Sequence, residues 1–451
     1  MSLLAKAMPS RIGDIVGAAN VTEDTAELAA YEVDGVRPSA SIRPGTAEEV
    51  AELVKLAAAE KLAVIPMGAR TKLGTIGMPP ARYDLAIDLT RLDRVISYDP
   101  GDLTVSVEAG IALAKLAATL AEHKQFLPLE VSFFERATMG GTLASGVDSP
   151  LRQMYGTARD FVLGMEFVTG DGALAKSGGR VVKNVSGYDL HKLMLGAIGS
   201  LGIITRVNFK TFPLPAETRC WLAAFSRVED AFAFAQDIRK SPLAPHTLDI
   251  FDSHASALFR GRAQLKKSDW SVAVSATGNE NVIERCERDL QAMARGASAS
   301  AFDALDTAAA SELRTAIREF PTLITQRSAN ALILKITPLP AQMAKVVPRL
   351  QSIAMNSALS FATLARGTGL VYFALLPAER KTPALVRCVE EILSVAPRDN
   401  CRATIPWCPL ELKREINVWG VPGEDFPLMQ RVKQAFDPHN IFAPGRFVGG
   451  L

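Results

Sequence analysis

Cysteine is scarce in this chain of 451 residues. The cysteines number five, and no two of them have C-x-x-C spacing: Cys220, Cys286, Cys388, Cys401 and Cys408. A disulfide framework is therefore not expected, and a reducing compartment fits best. The spacing also offers no ligand run for an iron–sulfur cluster or a structural zinc ion, so a cluster used in electron transfer would have to belong to another chain.

The chain has neither a large excess of one sign of charge nor a long apolar run. The 50 basic and 48 acidic residues leave a net charge of +2, which gives no reason to expect nucleic acid or a polybasic membrane anchor. The apolar stretch Ala331–Ile336 is too short to span a bilayer, and Met1–Gly17 lacks the apolar run of a signal peptide. We therefore predict a cytoplasmic protein whose contact with a membrane, if there is one, comes through a partner.

Histidine is too scattered to suggest a metal centre, and no metal is predicted. The five histidines form no H-x-H or H-x-x-x-H pair: His123, His191, His246, His254 and His439. His254 is the best candidate for a lone general base. A solvated position on a helix surface is nevertheless the favoured interpretation of both His254 and His191.

Glycine, in contrast, is concentrated in three segments of the first half. The first segment follows the buried-strand run Leu62–Met67. Its glycines permit unusual backbone angles and can place successive N–H groups on one concave side, a geometry that binds phosphate oxygens. Taken alone, it is more readily interpreted as a surface turn. The candidate ligand-binding residues in it are Pro66, Met67, Gly68, Ala69, Arg70, Thr71, Lys72, Leu73 and Gly74.

The second segment, residues 137–146, and the third, residues 183–190 and 196–205, expose bare main chain in the same way. In the third, glycines recur every third residue before a β-branched strand, at Gly196, Gly199 and Gly202. This spacing is not the G-x-G-x-x-G fingerprint and precedes a strand, so a nicotinamide-binding Rossmann domain is disfavoured. Each segment alone can also be interpreted as a packing loop. The remaining candidates are Thr138, Met139, Gly140, Gly141, Thr142, Ser145, Gly146, Tyr155, Asp160, Val162, Tyr188, Gly199, Gly202, Ile203 and Ile204.

Together, in this order, the three segments resemble the FAD-binding domain shared by vanillyl-alcohol oxidase, p-cresol methylhydroxylase and D-lactate dehydrogenases. The stretches Arg159–Gly164 and Lys183–Asp189, with the ending Phe436–Gly450, are similar to the FAD-binding (E) subunit of bacterial glycolate oxidase. Val418-Trp419-Gly420 is similar too. The resemblance covers roughly residues 37–215 and the C-terminus.

This resemblance implies an α+β protein that binds FAD. A two-subdomain FAD-binding domain of the p-cresol methylhydroxylase (PCMH) type would occupy residues 37–215, after an N-terminal segment of residues 1–36. An α+β cap with an antiparallel sheet would follow over residues 216–427, and residues 428–451 would return to the first domain. The first segment would wrap the pyrophosphate, and the other two would line the isoalloxazine and adenosine. Covalent attachment in the wider family uses His or Cys in the first or second segment, which have neither here, so we predict non-covalent FAD.

The resemblance also implies a function. The chain would be a subunit that oxidises a 2-hydroxy acid, or relays its electrons, with a catalytic flavoprotein subunit and an iron–sulfur subunit as partners. Such a complex could lie at the inner membrane. Two alternatives stay open: a self-sufficient FAD-dependent enzyme acting on another alcohol or 2-hydroxy acid, and a non-catalytic assembly protein.

Catalytic residues are not identifiable from the sequence. Arg327, Arg366 and Arg402 are possible clamps for a carboxylate, because a guanidinium matches it at two points, but each is better interpreted as an ordinary surface arginine. For Tyr188 and Asp189, which lie in the third segment, a functional role and the absence of one are equally supported by the sequence. Cys401 and Cys408 are interpreted as buried packing residues.

Overall fold

A small, mostly parallel sheet opens the fold. The computed structural model describes residues 3–181, 187–259, 268–378 and 382–451. The strand order is β1-β2-β4-β3, with β2, β4 and β3 parallel and β1 antiparallel at the edge. The bounds are α1 (Leu3–Val16), β1 (Val21–Thr22), α2 (Thr25–Leu28), β2 (Ala40–Ile42), α3 (Ala47–Glu60), β3 (Val64–Met67) and β4 (Leu85–Asp88).

Helix α3 begins where the sequence predicts a capping box. Thr46 Oγ1 accepts a hydrogen bond from Glu49 N at 3.1 Å, while the Glu49 carboxylate accepts one from Gly45 N at 2.7 Å and not from Thr46 N. The apolar positions Leu53 and Val54 of α3 are fully buried in the core formed with the first sheet.

A second sheet is antiparallel, with strand order β5-β6-β10-β8-β9. A hairpin turn at Thr169–Gly172 joins β8 to β9, with Thr169 N donating to Ala173 O at 3.0 Å. The bounds are β5 (Val95–Asp99), β6 (Thr104–Glu108), α4 (Leu113–Ala121), β7 (Gln125–Phe126), α5 (Met139–Ser145), α6 (Arg152–Tyr155), α7 (Ala158–Phe161), β8 (Val162–Val168), β9 (Leu174–Gly178), α8 (His191–Met194), β10 (Ile203–Lys210) and β11 (Phe212–Pro213).

The second half forms a larger antiparallel sheet, which confirms the predicted α+β cap. Its strand order is β15-β12-β14-β13-β17-β18-β16-β19. The bounds are β12 (Glu217–Phe225), α9 (Val228–Lys240), β13 (Thr247–Asp252), α10 (Ser253–Phe259), β14 (Trp270–Gly278), α11 (Glu280–Gly296), β15 (Ala301–Leu305), α12 (Thr307–Arg318), α13 (Phe320–Arg327), β16 (Leu332–Thr337), α14 (Met343–Asn356), β17 (Ser360–Arg366), β18 (Leu370–Leu376), α15 (Pro383–Val395) and β19 (Arg402–Trp407).

The two faces of the cap sheet have separate cores. Helices α9, α11, α14 and α15 cover one face. Helices α10, α12 and α13 cover part of the other, where Val147 from the first half also packs. This second face therefore contacts the FAD-binding half predicted from the sequence.

The end of the chain returns to the first sheet. Helices α16 (Leu410–Lys413) and α17 (Phe426–Phe436) precede a segment in which Ile441 O accepts from Val64 N at 2.7 Å and Ala443 N donates to Val64 O at 2.8 Å. Buried Lys433 donates to the Asp437 carboxylate at 2.6 Å and to Ser200 O at 2.9 Å, which holds the turn in place. The residue boundaries of the domains stay a prediction.

Candidate cofactor site

The three glycine segments meet at one cavity. It lies between the first sheet, the second sheet and the C-terminal segment. The predicted residues that line it are Pro66, Met67, Gly68, Ala69, Arg70, Thr71, Lys72, Leu73, Thr138, Gly140, Gly141, Ser145, Gly199, Gly202 and Ile204. The segments are thus neighbours in space although they are separate in sequence.

Glycine is required where the segments touch. A Cβ on Gly68 would overlap Thr138 Oγ1 and lie 2.9 Å from the Cβ and Cγ2 atoms of the same side chain. A Cβ on Gly199, where φ is +78°, would lie 2.7 Å from Pro66 Cγ. Because neither approach leaves room for a side chain, these glycines set the width of the cavity.

The first segment presents unpaired main-chain donors. Arg70 has a φ of +59°, which reverses the chain direction after β3. Within the described residues, the N–H groups of residues 69–72 donate no hydrogen bond to the protein. Such a run of convergent donors binds phosphate oxygens.

Cationic groups reinforce these donors. Lys72 is buried, and burial lowers the pKa of its ammonium to about 8, while the nearby charge of Glu319 acts in the opposite direction. Arg70 is held by an ion pair to Asp88 at 3.1 Å and lies over the ring of Tyr31, with its guanidinium carbon 4.4 Å from the ring centroid. The described residues that line the cavity include no acidic side chain.

Arg446 is a charged residue of the cavity that sequence reasoning missed. It is 2% exposed, and its Nη2 donates to Leu73 O at 2.7 Å and to Ile76 O at 2.6 Å. Its Nη1 is buried without a hydrogen-bond partner among the described residues. An unpaired guanidinium nitrogen beside a cationic cavity needs an acceptor from a ligand, so the cavity fits the pyrophosphate of FAD.

Apolar walls complete the cavity. They come from residues that carry no recognisable signal in the sequence: Ile76, Leu89, Ala109, Ala144 and Ile198. A flat, largely apolar ring system needs such walls.

Arg446 was detectable in principle, since it follows the Pro-Gly pair of the C-terminal segment that carries the family resemblance.

Several predicted residues lie beside the cavity and not on its surface. Met139 and Thr142 are buried on the far side of α5, and Gly146 ends that helix with a φ of +58°. Gly74 O accepts from Lys413 Nζ at 3.1 Å. Asp160 caps α7 by accepting from Thr157 N at 2.7 Å.

The remaining predicted residues also do not line the cavity. Val162 and Ile203 are buried in β8 and β10, and Tyr155 packs edge-on against Phe212. Tyr188 is 90% exposed. Of the motif Lys183–Asp189, residues 183–186 lie outside the described residues. The role of each of these residues in cofactor binding stays a prediction.

Two interpretations of lone polar residues were wrong. His191 is buried, not solvated, and its Nδ1 lies 3.0 Å from Ser177 Oγ, because α8 packs against β8 and β9; burial also lowers the pKa of its ring. Arg366 is buried, not on the surface, because Asp249 and Asp148 pair with it in the protein interior. His254, Arg327 and Arg402 are exposed, while Cys401 and Cys408 are buried.

Comparison with protein families agrees with the geometry. The family described as "FAD binding domain" matches residues 38–178, and "FAD linked oxidases, C-terminal domain" matches residues 214–392 and 413–447. The first match contains the first two glycine segments, and the second contains most of the cap and Arg446. Among the described residues, no helix is long and apolar enough to cross a bilayer, and no group of three or more His, Cys, Asp or Glu side chains forms a metal site.

Three known proteins show how far the likeness extends. Glycolate oxidase subunit GlcD of Bacillus subtilis is 23% identical over 98% of this chain and 97% of its own length. Glycolate oxidase subunit GlcE of Escherichia coli is 34% identical over 45% of this chain and 57% of its own length. The structure of p-cresol methylhydroxylase with substrate bound superposes with a TM-score of 0.79 at 17% identity, covering 98% of this chain and 96% of that one.

The cavity, the cap and these matches define an FAD-dependent oxidoreductase with the PCMH-type fold. The chain belongs to the FAD-linked oxidases that combine this FAD-binding domain with this C-terminal domain, and it is similar to glycolate oxidase subunits. The predicted fold class, family and FAD cofactor are thereby confirmed.

Proposed function

We propose that this chain is an FAD-binding subunit of a glycolate oxidase-type complex that oxidises a 2-hydroxy acid. The observation that carries the proposal is the cavity with its unpaired Arg446 nitrogen, in a chain that aligns over its length with a glycolate oxidase subunit. A likeness to p-cresol methylhydroxylase supports the fold alone.

The residues of the cavity have distinct tasks in this proposal. Lys72, Arg446 and the amides of residues 69–72 bind the pyrophosphate, and Ala144 and Ile198 contact the ring system. When bound, FAD supplies the acceptor for the two electrons that leave the alcohol carbon. Attachment is proposed to be non-covalent, because the described residues lining the cavity include no His, Cys or Tyr.

Electron transfer beyond FAD requires a partner in this proposal. The five cysteines are dispersed through the sequence, so an iron–sulfur cluster would be carried by another subunit. The glycolate oxidase subunits among the relatives support such an assembly, with a second flavoprotein as a further partner.

Anaerobic reduction tests the proposal. The native protein is purified with whatever accompanies it, glycolate or D-lactate is added without oxygen, and flavin absorbance is followed. We expect bleaching, and we expect an iron–sulfur protein to co-purify. Bleaching by the isolated chain at the full rate would favour a self-sufficient enzyme.

Denaturation of the purified protein provides the second measurement. FAD released into the supernatant supports non-covalent binding, whereas flavin that stays with the precipitated chain contradicts it. A flavin-free preparation that cannot be reconstituted would point to an assembly protein and against the proposal.

A further inference from the structure

A second cleft opens beside the cofactor cavity, at the carboxyl ends of the parallel strands of the first sheet. Arg43 follows β2, Gly68 follows β3 and Asp88 ends β4, and all three line this arginine cleft. The other lining residues are Tyr31, Ala69, Arg70, Thr90 and Arg136. Ligands of α/β sheets often bind at the carboxyl ends of the strands, so the arginine cleft is a candidate binding surface.

The arginine cleft and the cofactor cavity share a wall. Gly68, Ala69 and Arg70 line both, while the remaining lining residues of the two differ. One stretch of main chain therefore lies between them. A molecule that docks in the arginine cleft contacts the same segment that, in the proposed function, binds the pyrophosphate of FAD.

The arginine cleft has an excess of positive charge. Its lining residues include three arginines and one acidic residue, Asp88. The buried carboxylate of Asp88 accepts from Arg70 Nη1 at 3.1 Å and from Thr90 N at 3.0 Å. Because Asp88 pairs with Arg70, the charges of Arg43 and Arg136 stay uncompensated among the residues that line the cleft.

Arg43 and Arg136 are exposed and have unused donors. Within the described residues, the side chain of Arg136 makes no hydrogen bond or ion pair. Arg43 Nη2 donates to Ala19 O at 3.5 Å, and Arg43 O accepts from Arg91 Nη1 at 2.6 Å, which adds a cation beside the cleft. A guanidinium group matches a carboxylate at two points, so the arginine cleft favours an acidic partner.

Electrons from the proposed oxidation need an acceptor outside this chain. No two of the five cysteines have C-x-x-C spacing, so an iron–sulfur cluster would belong to another protein. Such an acceptor must approach the cofactor closely. The arginine cleft provides an exposed surface that shares main chain with the cofactor cavity, and its charge would speed the encounter with an acidic protein.

We propose that the arginine cleft docks an iron–sulfur protein, the one-electron acceptor of this chain, through acidic side chains of that protein. Each docking event passes one electron across residues 68–70 to the acceptor. Two such transfers restore oxidised FAD, and the hydrogen that FAD received with the electron pair leaves as a proton to water. This inference rests on the proposed function and adds the surface at which the partner docks.

A matched pair of protein acceptors tests the inference. Native cytochrome c has a basic surface, and succinylation replaces its lysine charges with carboxylates. The holoenzyme is reduced without oxygen by stoichiometric dithionite, so no 2-hydroxy acid is needed, and reduction of the haem is followed by stopped-flow absorbance. We expect the succinylated form to be reduced at least about tenfold faster at low salt, with a difference that shrinks as ionic strength rises.

Charge reversal locates the docking surface. Arg43→Glu and Arg136→Glu should each slow the reduction of succinylated cytochrome c at least about fivefold and accelerate that of the native form. Arg327→Glu makes the same change at an exposed arginine of the cap and is the matched control, which should keep the original preference. FAD content should be unaltered in all three variants, because none of these arginines lines the cofactor cavity.

Calorimetry with the oxidised holoenzyme measures docking without electron transfer. Succinylated cytochrome c should bind the unaltered protein and Arg327→Glu alike, and Arg43→Glu and Arg136→Glu more weakly. Equal rates with the two cytochromes, or charge reversals that behave like Arg327→Glu, overturn the inference. Loss of FAD from both Arg43→Glu and Arg136→Glu would assign the cleft to the cofactor and overturn it as well. If one of these two variants fails to fold, the other decides.

Failure of this inference is distinguishable from failure of the proposed function. If no 2-hydroxy acid reduces FAD but the charge preference and its loss are observed, the proposed function fails and the docking surface stands. Reduction by glycolate together with equal rates for the two cytochromes would leave the function standing and remove the docking surface.

Discussion

Gly68 and Gly74 belong to the same segment but differ in the space that surrounds them. A Cβ on Gly68 would collide with Thr138, while nothing lies within 4 Å of one on Gly74. We expect Gly68→Ala to lower the free energy of unfolding by about 1–3 kcal/mol and to reduce FAD content, since the first two segments must move apart.

The matched control is Gly74→Ala, which should stay within about 0.5 kcal/mol of the unaltered protein and keep its FAD. Urea denaturation and the flavin-to-protein absorbance ratio provide the measurements. Equal effects of the two changes would contradict the close approach of Gly68 to Thr138.

Lys72 makes FAD binding depend on pH. Its pKa of about 8 in the free protein rises again when the pyrophosphate binds, so binding takes up a proton above about pH 8. We expect the Kd for FAD to rise by about tenfold between pH 7 and pH 9. Glu319 supplies the opposing charge.

Lys72→Met should remove most of this pH dependence, and Lys55→Met, at an exposed lysine, should keep it. Fluorescence titration of the apoprotein with FAD at several pH values checks both. A pH profile that is identical in Lys72→Met and the unaltered chain would show that another group is responsible.

Elements with a strong local pattern were predictable from the sequence. The apolar positions of residues Val228–Lys240 recur at helical spacing, which predicts the helix that the structure has as α9. The first glycine segment was predictable only together with the other two, because alone it is more readily interpreted as a surface turn. Arg446 and the apolar wall residue Ile198 were not, since their positions depend on how distant segments pack. His191 was misjudged because a short helix gives no period from which to infer its buried face.

The turn after α17 depends on one buried carboxylate. Asp437 is 1% exposed and accepts from Lys433 Nζ, from Ile441 N at 3.0 Å and from Phe442 N at 2.8 Å. Asp437→Asn leaves Lys433 buried without its counter-charge, so we expect a loss of about 3–5 kcal/mol in the free energy of unfolding.

Glu52→Gln is the control for Asp437→Asn. It also removes the charge of a carboxylate paired with a lysine, but Glu52 pairs with Lys55 on the exposed face of α3. Its effect should stay within about 0.5 kcal/mol. Thermal and urea denaturation of both variants measure the difference. A small effect of Asp437→Asn would mean that the C-terminal segment stays hydrogen-bonded to Val64 without the Lys433–Asp437 pair.

At the scale of the whole molecule, the cofactor cavity joins three parts of the chain. Leu89 belongs to the first sheet region, Gly140 to the second and Arg446 to the returning C-terminus. A ligand that touches all three binds only the assembled fold, so it stabilises that fold by mass action. At a free FAD concentration of 100 times Kd, the gain is about 2.7 kcal/mol.

Arg446→Gln should reduce this FAD-dependent gain, because Arg446 lines the cavity from the C-terminal segment and has an unpaired guanidinium nitrogen. The gain is the difference between unfolding with and without added FAD, so it is independent of any loss of stability in the apoprotein. Arg402→Gln, at an exposed arginine, should show the full gain. An undiminished gain in Arg446→Gln would mean that FAD is held without the C-terminal segment, and that the return of the chain serves folding alone.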